Sequence, residues 1–142
     1  MSEYNFTVVP MNLIPVLWDQ LVPHLFPVVE VGNGEITLES IKARAMSNSS
    51  IIITVTLDDE IVAVTTAEVV TYDSGLRSLL IPVIGGKGLF DWGEDWWSMH
   101  VALAKDLGCT ELRGLAVRSG WMKILKERGW VENHVVITHK LS

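Results

Sequence analysis

The chain has 142 residues, of which 49% are hydrophobic and 20% charged, and its net charge at pH 7 is −6. This length and composition predict one globular domain over residues 1–142 and argue against a disordered chain. The acidic balance argues against general nucleic-acid binding, since that binding requires many lysines and arginines to neutralise phosphates.

Several other classes of protein do not fit the sequence. No apolar run approaches the roughly 20 residues that span a bilayer, so we expect no membrane partner. The first ten residues, MSEYNFTVVP, contain an acid and no basic segment, so we expect no secretory signal peptide. Cys109 is the only cysteine, which excludes an internal disulfide and a multi-thiolate metal site. The four histidines share no metal-ligand spacing, and we expect no metal.

The first part of the chain predicts a short strand and two helices. Residues 4–10 resemble an edge strand or a lead-in that Pro10 stops. Apolar residues recur at helical spacing from Met11 to Phe26, and Pro23 and Pro27 predict that this helix kinks or ends near Val22. A second helix begins at Thr37, whose hydroxyl suits an N-cap.

Three β-branched runs follow, at residues 51–57, 60–72 and 77–84. Asp58-Asp59 and Asp73-Ser74-Gly75 separate them as tight turns. Such short connections predict an antiparallel meander.

A glycine-rich turn then leads into the longest amphipathic helix of the chain. The turn consists of Gly85, Gly86, Lys87 and Gly88, and helical periodicity is clear from Glu94 to Leu107. A strand over 109–117, a helix over 119–128 and a last strand over 130–140 complete the chain. The predicted class is α/β (α+β), a mixed, mostly antiparallel sheet flanked by helices in the order ααβββαβαβ.

This order, with a glycine turn between a strand and a long helix, resembles the fold of the GNAT family of N-acetyltransferases. The segment LKERGW at 125–130 is similar to the family's last helix and the glycine–aromatic pair that follows it. The resemblance implies a GNAT-like domain over nearly the whole chain. It also implies a site for acetyl-CoA, whose pyrophosphate the family holds at the start of the long helix.

A more detailed pattern resembles small GNAT-like proteins of tailed phages and prophages. It consists of short glycine-containing pairs with apolar residues at set distances. They are Gly34-Glu35 with Leu38 and Ile41, Gly85-Gly86 with Trp92, Gly108-Cys109 with Leu112, and Gly120-Trp121 with Leu125 and Gly129-Trp130. This resemblance implies a bacteriophage protein located in the virion or the host cytoplasm, with other virion proteins or a second copy of itself as partners.

The glycine turn has two interpretations. It is a degenerate acyl-CoA loop, or it is a flexible turn, because its spacing departs from the family signature Q/R-x-x-G-x-G/A. Glu94 and Asp95, taken as the first turn of the helix, would repel a pyrophosphate by about 4 kcal/mol per close contact at an effective dielectric constant near 20.

The residues implied for catalysis are sparse. Leu125 occupies the position where the family commonly has a tyrosine that acts as general acid, and leucine cannot donate a proton. Glu68, on the long middle strand, is a weak candidate for the general base. These features favour a virion or assembly component with a vestigial acyl-CoA site. The alternative is an active acetyl-CoA-dependent N-acetyltransferase.

Six tryptophans are many for this length. Trp92, Trp96 and Trp97 cluster at the start of the long helix, and two adjacent tryptophans on a helix point about 100° apart. They therefore predict a protein–protein interface, with packing inside the domain as the alternative. His100 lies on the apolar face of the helix and is expected to be a hydrogen-bonded core histidine.

Overall fold

The computed structural model describes residues 3–32, 34–115, 123 and 125–141. Five strands and three α-helices are defined in it. The strands are β1 (Tyr4–Val8), β2 (Ile51–Leu57), β3 (Glu60–Thr71), β4 (Arg77–Gly86) and β5 (Glu111–Gly114). The helices are α1 (Ile14–Val31), α2 (Leu38–Met46) and α3 (Leu89–Asp106), and a 3₁₀ turn at Met11–Leu13 precedes α1.

The strands form one sheet in the order β1-β2-β3-β4-β5. The first four are antiparallel neighbours, which confirms the predicted meander and adds β1 to its edge. The turn between β2 and β3 places Asp58 and Asp59 at positive φ, as a two-residue hairpin requires. β5 pairs with β4 in parallel, because α3 carries the chain back across the sheet between them.

Helices cover both faces of the sheet. α1 and α2 enclose one core with the inward side chains of the sheet. Its buried members are Val9, Ile14, Leu21, Leu25, Ile41, Ala45, Ile52, Val64 and Val83. α3 encloses a second core on the opposite face. Its buried members are Val55, Ala63, Ala67, Leu79, Ile81, Trp92, Trp96, Ala104 and Cys109. The mixed α/β architecture predicted from the sequence is therefore confirmed.

α1 corrects the prediction that the first helix ends near Val22. It continues through Pro23 and Pro27 to Val31. Both prolines are exposed, so water can solvate the carbonyl groups that lose their hydrogen bonds. Leu21 and Leu25 are fully buried on the opposite side, and this packing outweighs the local cost of the prolines.

α2 confirms the predicted N-cap. The Thr37 hydroxyl accepts a hydrogen bond from the Ser40 amide over 3.0 Å, and the Ser40 hydroxyl accepts one from the Thr37 amide over 2.9 Å. This reciprocal pair is a capping box.

The C-terminal part differs from prediction. The strand expected over 109–117 is limited to Glu111–Gly114 within the described residues, and the helix expected over 119–128 is described only at 123 and 125–127. The predicted last strand is wrong for this structure, since residues 130–141 contain neither helix nor strand. A strand needs a neighbouring edge for its hydrogen bonds, and none of the described strands pairs with this segment.

Within the described residues, no helix combines the length and apolar character needed to cross a membrane.

Candidate anion site at the start of the long helix

The connection between β4 and α3 is much shorter than the sequence suggests. β4 includes Gly85 and Gly86, and α3 begins at Leu89, so only Lys87 and Gly88 connect the two elements. This corrects two expectations, namely a long glycine turn and a helix that begins near Glu94. The periodic apolar face is clear only from Glu94, but the backbone is helical from Leu89.

Four hydrogen bonds hold this two-residue turn. The Lys87 amide donates to the Val62 carbonyl over 3.1 Å, which continues the β3–β4 ladder by one residue. The Lys87 carbonyl accepts from the indole N–H of Trp92 over 2.9 Å. The Gly88 carbonyl accepts hydrogen bonds from the amides of Asp91, over 2.8 Å, and Trp92, over 3.1 Å, and so starts α3. Gly88 has φ +87°, a conformation that glycine adopts without strain.

The two glycines at the end of β4, Gly85 and Gly86, allow neighbouring elements to pack closely. A β-carbon on Gly85 would lie 2.0 Å from the main-chain oxygen of His24, so α1 can approach β4 only because that side chain is absent. A β-carbon on Gly86 would lie 2.4 Å from the Cα of Ala63 on β3. Close packing therefore explains both glycines without a ligand.

The first turn of α3 presents backbone donors. The N–H groups at the start of an α-helix have no acceptor within the helix, and the helix dipole adds partial positive charge there. Here these groups are the amides of Leu89 and Phe90, since those of Asp91 and Trp92 donate to the Gly88 carbonyl. They follow directly after a turn whose shape is fixed by hydrogen bonds. The exposed Lys87 adds a full positive charge next to them. This arrangement suits a phosphate group.

The acidic residues near this helix start differ from those inferred from the sequence. Asp91 is the acid of the first turn, and its carboxylate lies near the hydroxyl of Tyr4 on β1. Burial, together with the nearby Asp91 carboxylate, raises the pKa of Tyr4. Glu94 lies beyond the first turn and forms an ion pair with Arg128. The predicted repulsion of a pyrophosphate by Glu94 is therefore weakened by both its position and its partner.

The described pairing between β4 and β5 ends beside this site. They pair in parallel over four positions, from Ser78 with Glu111 to Ile81 with Gly114. β4 then continues to Gly86 without a partner on that side among the described residues. This last part of β4 leads directly to the start of α3.

An irregularity in β4 coincides with the end of this pairing. Leu79 and Ile81 belong to the α3 core, whereas Val83 belongs to the α1 core. Residues two apart on a regular strand share a face, so one extra residue must intervene. The register with β3 shows this, since Ile81 and Pro82 together lie opposite Ala67.

The comparisons with known proteins concern the whole chain. No protein-family model and no curated protein matches it. Solved structures do. An aminoglycoside acetyltransferase from an uncultured soil metagenomic sample is 16% identical, with a TM-score of 0.72, and the match covers 98% of this chain and 96% of that one. The ribosomal-protein-alanine N-acetyltransferase of Brucella melitensis biovar Abortus 2308 is 9% identical, with a TM-score of 0.73, over 99% of this chain and 100% of that one.

A predicted acetyltransferase from Clostridium acetobutylicum, solved with acetyl-CoA, is 12% identical, with a TM-score of 0.69, over 98% of this chain and 97% of that one. The fold is GNAT-like. Identities this low support the fold alone, because unrelated activities occur on shared folds.

Within the GNAT-like fold, Glu68 faces α2. Its side chain is 10% exposed and forms an ion pair with Arg44 of that helix. Glu68 lies five residues along β3 from Ala63, which pairs with Gly86, so it is about 17 Å along the strand from the end of β4. The structure therefore does not bring Glu68 next to the start of α3, and its role as general base stays a prediction.

The tryptophans of α3 are mainly core residues. Trp92 is 1% exposed and Trp96 is 3% exposed, which corrects their assignment to an interface. The helix turns both side chains toward the sheet, where the indole N–H of Trp96 donates to the Thr65 hydroxyl over 3.2 Å. Trp97 is half-buried, and its ring centroid lies 4.7 Å from that of Trp130.

Trp92 was assigned to an interface from the sequence, and its contact with the turn before α3 was not predicted. Its hydrogen bond to Lys87 spans five positions and shapes the turn before the helix. A tryptophan four residues after the last glycine of a strand-to-helix turn is the signal that points to such a bond.

His100 is fully buried, as predicted. Its Nδ1 lies 2.9 Å from the Trp96 carbonyl, and its ring packs on the Trp96 indole at a centroid distance of 3.9 Å. Burial lowers the pKa of His100. Among the described residues, no group of three histidine, cysteine, aspartate or glutamate side chains could hold a metal ion.

Proposed function

We propose that this protein binds acetyl-CoA at the start of α3 and transfers the acetyl group to an amine. One observation carries the proposal. The two-residue connection from β4 to α3 presents the first backbone amides of the helix beside a strand edge that, among the described residues, has no β5 partner beyond Ile81. A phosphate site and an adjacent unpaired edge together suit a long ligand with an anionic end.

The residues present fit the chemical parts of acetyl-CoA. The first-turn amides of α3 would hold the pyrophosphate, with Lys87 as an added cation. Beyond Ile81, the N–H and C=O groups on this side of β4 have no partner among the described residues. They would bond to the amide groups of the pantetheine arm, as a strand edge bonds to a peptide. Bound acetyl-CoA supplies an acetyl group activated as a thioester.

The solved structures give independent support. Among the neighbours are an acetyltransferase solved with acetyl-CoA and an aminoglycoside N-acetyltransferase in complex with CoA. Two of the named acetyltransferases act on amine-bearing molecules, an aminoglycoside and a ribosomal protein alanine. An amine acceptor is accordingly the class that we propose here.

The proton donor for the leaving thiolate is not at Leu125. This residue lies in the short helical stretch before Gly129, and its side chain carries no proton to give. Glu68 forms an ion pair with Arg44. The variant Glu68→Gln tests whether Glu68 acts as the general base. A loss of transfer with unchanged acetyl-CoA binding would assign the base to Glu68.

The second candidate is the phage virion or assembly component implied by the resemblance. The exposed apolar side chains of residues 131–141 favour it, because large exposed aliphatic side chains suit protein contacts. In that case the site at α3 would be vestigial. Binding of acetyl-CoA distinguishes the two candidates.

Thermal melting tests the proposal. A ligand at 100 times its dissociation constant stabilises the folded state by about 2.7 kcal/mol, which for a chain of this size raises Tm on the order of 10 °C. Acetyl-CoA should produce such a rise, and pantetheine, which lacks the pyrophosphate, should produce a much smaller one. Equal effects of both ligands would contradict the assignment of the pyrophosphate to α3.

A matched pair of variants locates the site. Lys87→Ala removes the cation beside the start of α3, and Lys105→Ala removes an exposed lysine from the last turn of the same helix. We expect Lys87→Ala to weaken acetyl-CoA binding about 5-fold, and Lys105→Ala to leave it unchanged. Equal loss in both variants would point to overall charge and not to this site.

A further inference from the structure

The edge strand β1 lacks the features that usually protect the edge of a sheet. It is the first strand of the sheet, at the edge opposite β5, and its outer side has no partner within residues 3–32, 34–115 and 125–141. Natural sheet edges are commonly blunted by charged side chains, by proline or by a bulge. Residues 4–8 contain no charged residue and no proline, and they pair with β2 at all five positions without a register shift. The strand is therefore suited to pair with a further strand.

The hydrogen bonds between β1 and β2 show which main-chain groups face outward. The Val9 amide donates to a carbonyl of β2 over 2.8 Å. The carbonyls of Asn5 and Thr7 point the same way, since each accepts a long hydrogen bond, at 3.5 Å, from a threonine hydroxyl of β2. Alternate residues of a strand direct their N–H and C=O groups to opposite sides. The outward groups of β1 therefore belong to Tyr4, Phe6 and Val8.

The sequence of β1 is self-complementary about Phe6. If a second copy of β1 pairs antiparallel with this edge and is centred there, Phe6 lies opposite the partner's Phe6, and Tyr4 lies opposite the partner's Val8. These positions are the ones whose main-chain groups face outward, so each such pair exchanges two hydrogen bonds. Any other register that matches the two faces places Tyr4 or Val8 opposite a residue outside β1. Only the register centred on Phe6 pairs every outward group of both strands.

The side chains fit the same register. Tyr4 and Phe6 pack against the α3 core, and Val8, on the same face of β1, is 46% exposed. In the paired strands the two Phe6 rings are cross-strand neighbours, and the partner's Tyr4 covers Val8. On the other face, exposed Asn5 lies opposite the partner's exposed Thr7, so polar side chains meet each other. Cross-strand aromatic and polar pairs of this kind stabilise a sheet.

We propose that two copies of this chain pair through β1, antiparallel about Phe6, and so join their sheets into one across a two-fold axis. The contact is isologous, because each copy uses the same strand in the same register. It satisfies the outward main-chain groups of β1 and covers Val8. It does not depend on the proposed transfer of an acetyl group.

Size-exclusion chromatography with light scattering on the full chain tests the dimer. The mass of the wild type should approach twice the chain mass of 15.8 kDa as its concentration rises. The variant Asn5→Lys/Thr7→Lys places lysines opposite each other in both polar pairs, and like charges directly opposite destabilise paired strands. We expect this variant to dimerise at least about 10-fold more weakly than the wild type.

A charge exchange at the same two positions tests the register. In Asn5→Lys/Thr7→Glu, each lysine lies opposite a glutamate of the other copy, so dimerisation should return to at least the wild-type level. Gln20→Lys/Ala102→Lys is the matched control, because it adds two positive charges at exposed positions of α1 and α3 and should leave dimerisation unchanged. Near-UV circular dichroism checks that each variant keeps its tertiary structure.

Amide hydrogen exchange followed by NMR identifies the paired edge. The amides of Asn5 and Thr7 face β2 and should be protected at every concentration, whereas those of Tyr4, Phe6 and Val8 should be protected only in the dimer. Three results would overturn the proposal. They are a wild-type chain that stays monomeric at millimolar concentration, a lysine–lysine variant that dimerises as well as the lysine–glutamate variant, and amides of Tyr4, Phe6 and Val8 whose protection does not change on dilution.

Discussion

The indole N–H of Trp92 donates a hydrogen bond to the main-chain carbonyl of Lys87 over 2.9 Å. A buried residue of α3 thereby holds the turn that precedes its own helix. The bond directs the Lys87 carbonyl back toward the core, so it does not face the helix start, where an anion would meet an oxygen unfavourably. The shape of the proposed acetyl-CoA site thus depends on a core tryptophan.

Trp92→Phe should damage both stability and ligand binding. Phenylalanine keeps an aromatic ring in the core but loses the bond to Lys87 and leaves some volume unfilled, which together cost about 2 kcal/mol. Urea denaturation measures this loss, and calorimetric titration measures acetyl-CoA binding. Trp97→Phe is the control, because Trp97 is half-buried on the same helix and packs on Trp130. Equal effects in both variants would contradict the special role of Trp92.

Gly85→Ala should be one of the most damaging small substitutions in the chain. Its β-carbon would lie 2.0 Å from the His24 oxygen, so α1 must move away from β4. We expect a loss of about 3 kcal/mol in the free energy of unfolding, measured by urea denaturation. Gly75→Ala is the comparison, since no atom lies within 4 Å of its β-carbon and only the positive φ of +91° opposes it, at a cost of about 1 kcal/mol. Similar losses at both positions would refute the close packing.

His100 should make the protein sensitive to mild acid. Because burial lowers the pKa of His100 in the folded state, the unfolded chain binds a proton there at pH values where the folded chain does not. The free energy of unfolding should therefore fall as the pH drops below about 6.5, the ordinary pKa of histidine, and His100 should contribute no pH dependence above it.

The variant His100→Phe tests this by urea denaturation at several pH values. It should show a shallower decline between pH 6.5 and pH 5 than the wild type. Burial also lowers the pKa of His24, so part of the decline in stability should remain in this variant. His139→Asn is the control, since His139 is exposed. Parallel profiles for wild type and His100→Phe would contradict this prediction.

Glu111 should add a second acid-sensitive contribution, at lower pH. The Ser78 hydroxyl and then Arg113 donate hydrogen bonds to its carboxylate and lower the pKa of Glu111. A carboxyl group whose pKa is lowered by folding contributes stability above its unfolded pKa. That contribution is lost as the pH falls through the folded pKa.

Ser78→Ala should therefore reduce the free energy of unfolding by about 1 kcal/mol near neutral pH, and by less once Glu111 is protonated. Urea denaturation at pH 7 and pH 3 measures the difference. Thr110→Ala is the control, because the Thr110 hydroxyl makes only a long hydrogen bond to the Arg77 carbonyl, at 3.5 Å. A loss for Ser78→Ala that does not change with pH would mean that its cost comes from packing alone.

Local patterns in the sequence predicted much of the fold. The meander, the Thr37 cap and the glycine at position 129 each follow from residues close together in the chain. The length of α1 could not be predicted from local patterns, because burial of Leu21 and Leu25 outweighs the local tendency of two prolines to break a helix. The last strand was also mispredicted, since β-branched residues form a strand only beside a partner edge.

The candidate site was predicted only in outline. The glycine-rich stretch does lie between a strand and the long helix, but its two halves have different roles. Gly85 and Gly86 belong to β4 and permit close packing, whereas Gly88 permits the turn. These roles depend on contacts between residues far apart in the sequence, since α1 packs against Gly85 and β3 packs against Gly86. The partner of Glu94 is equally distant, because Arg128 lies 34 residues away in the chain.

Equilibrium binding of acetyl-CoA to the full chain tests the central claim most directly. Isothermal titration should show one acetyl-CoA per chain with a dissociation constant below about 1 mM, the range in which enzymes commonly bind their substrates. Prior addition of CoA should abolish the heat, because both ligands carry the same pyrophosphate. If the folded protein in the calorimeter showed no binding at millimolar acetyl-CoA, the result would contradict the account and favour a vestigial site.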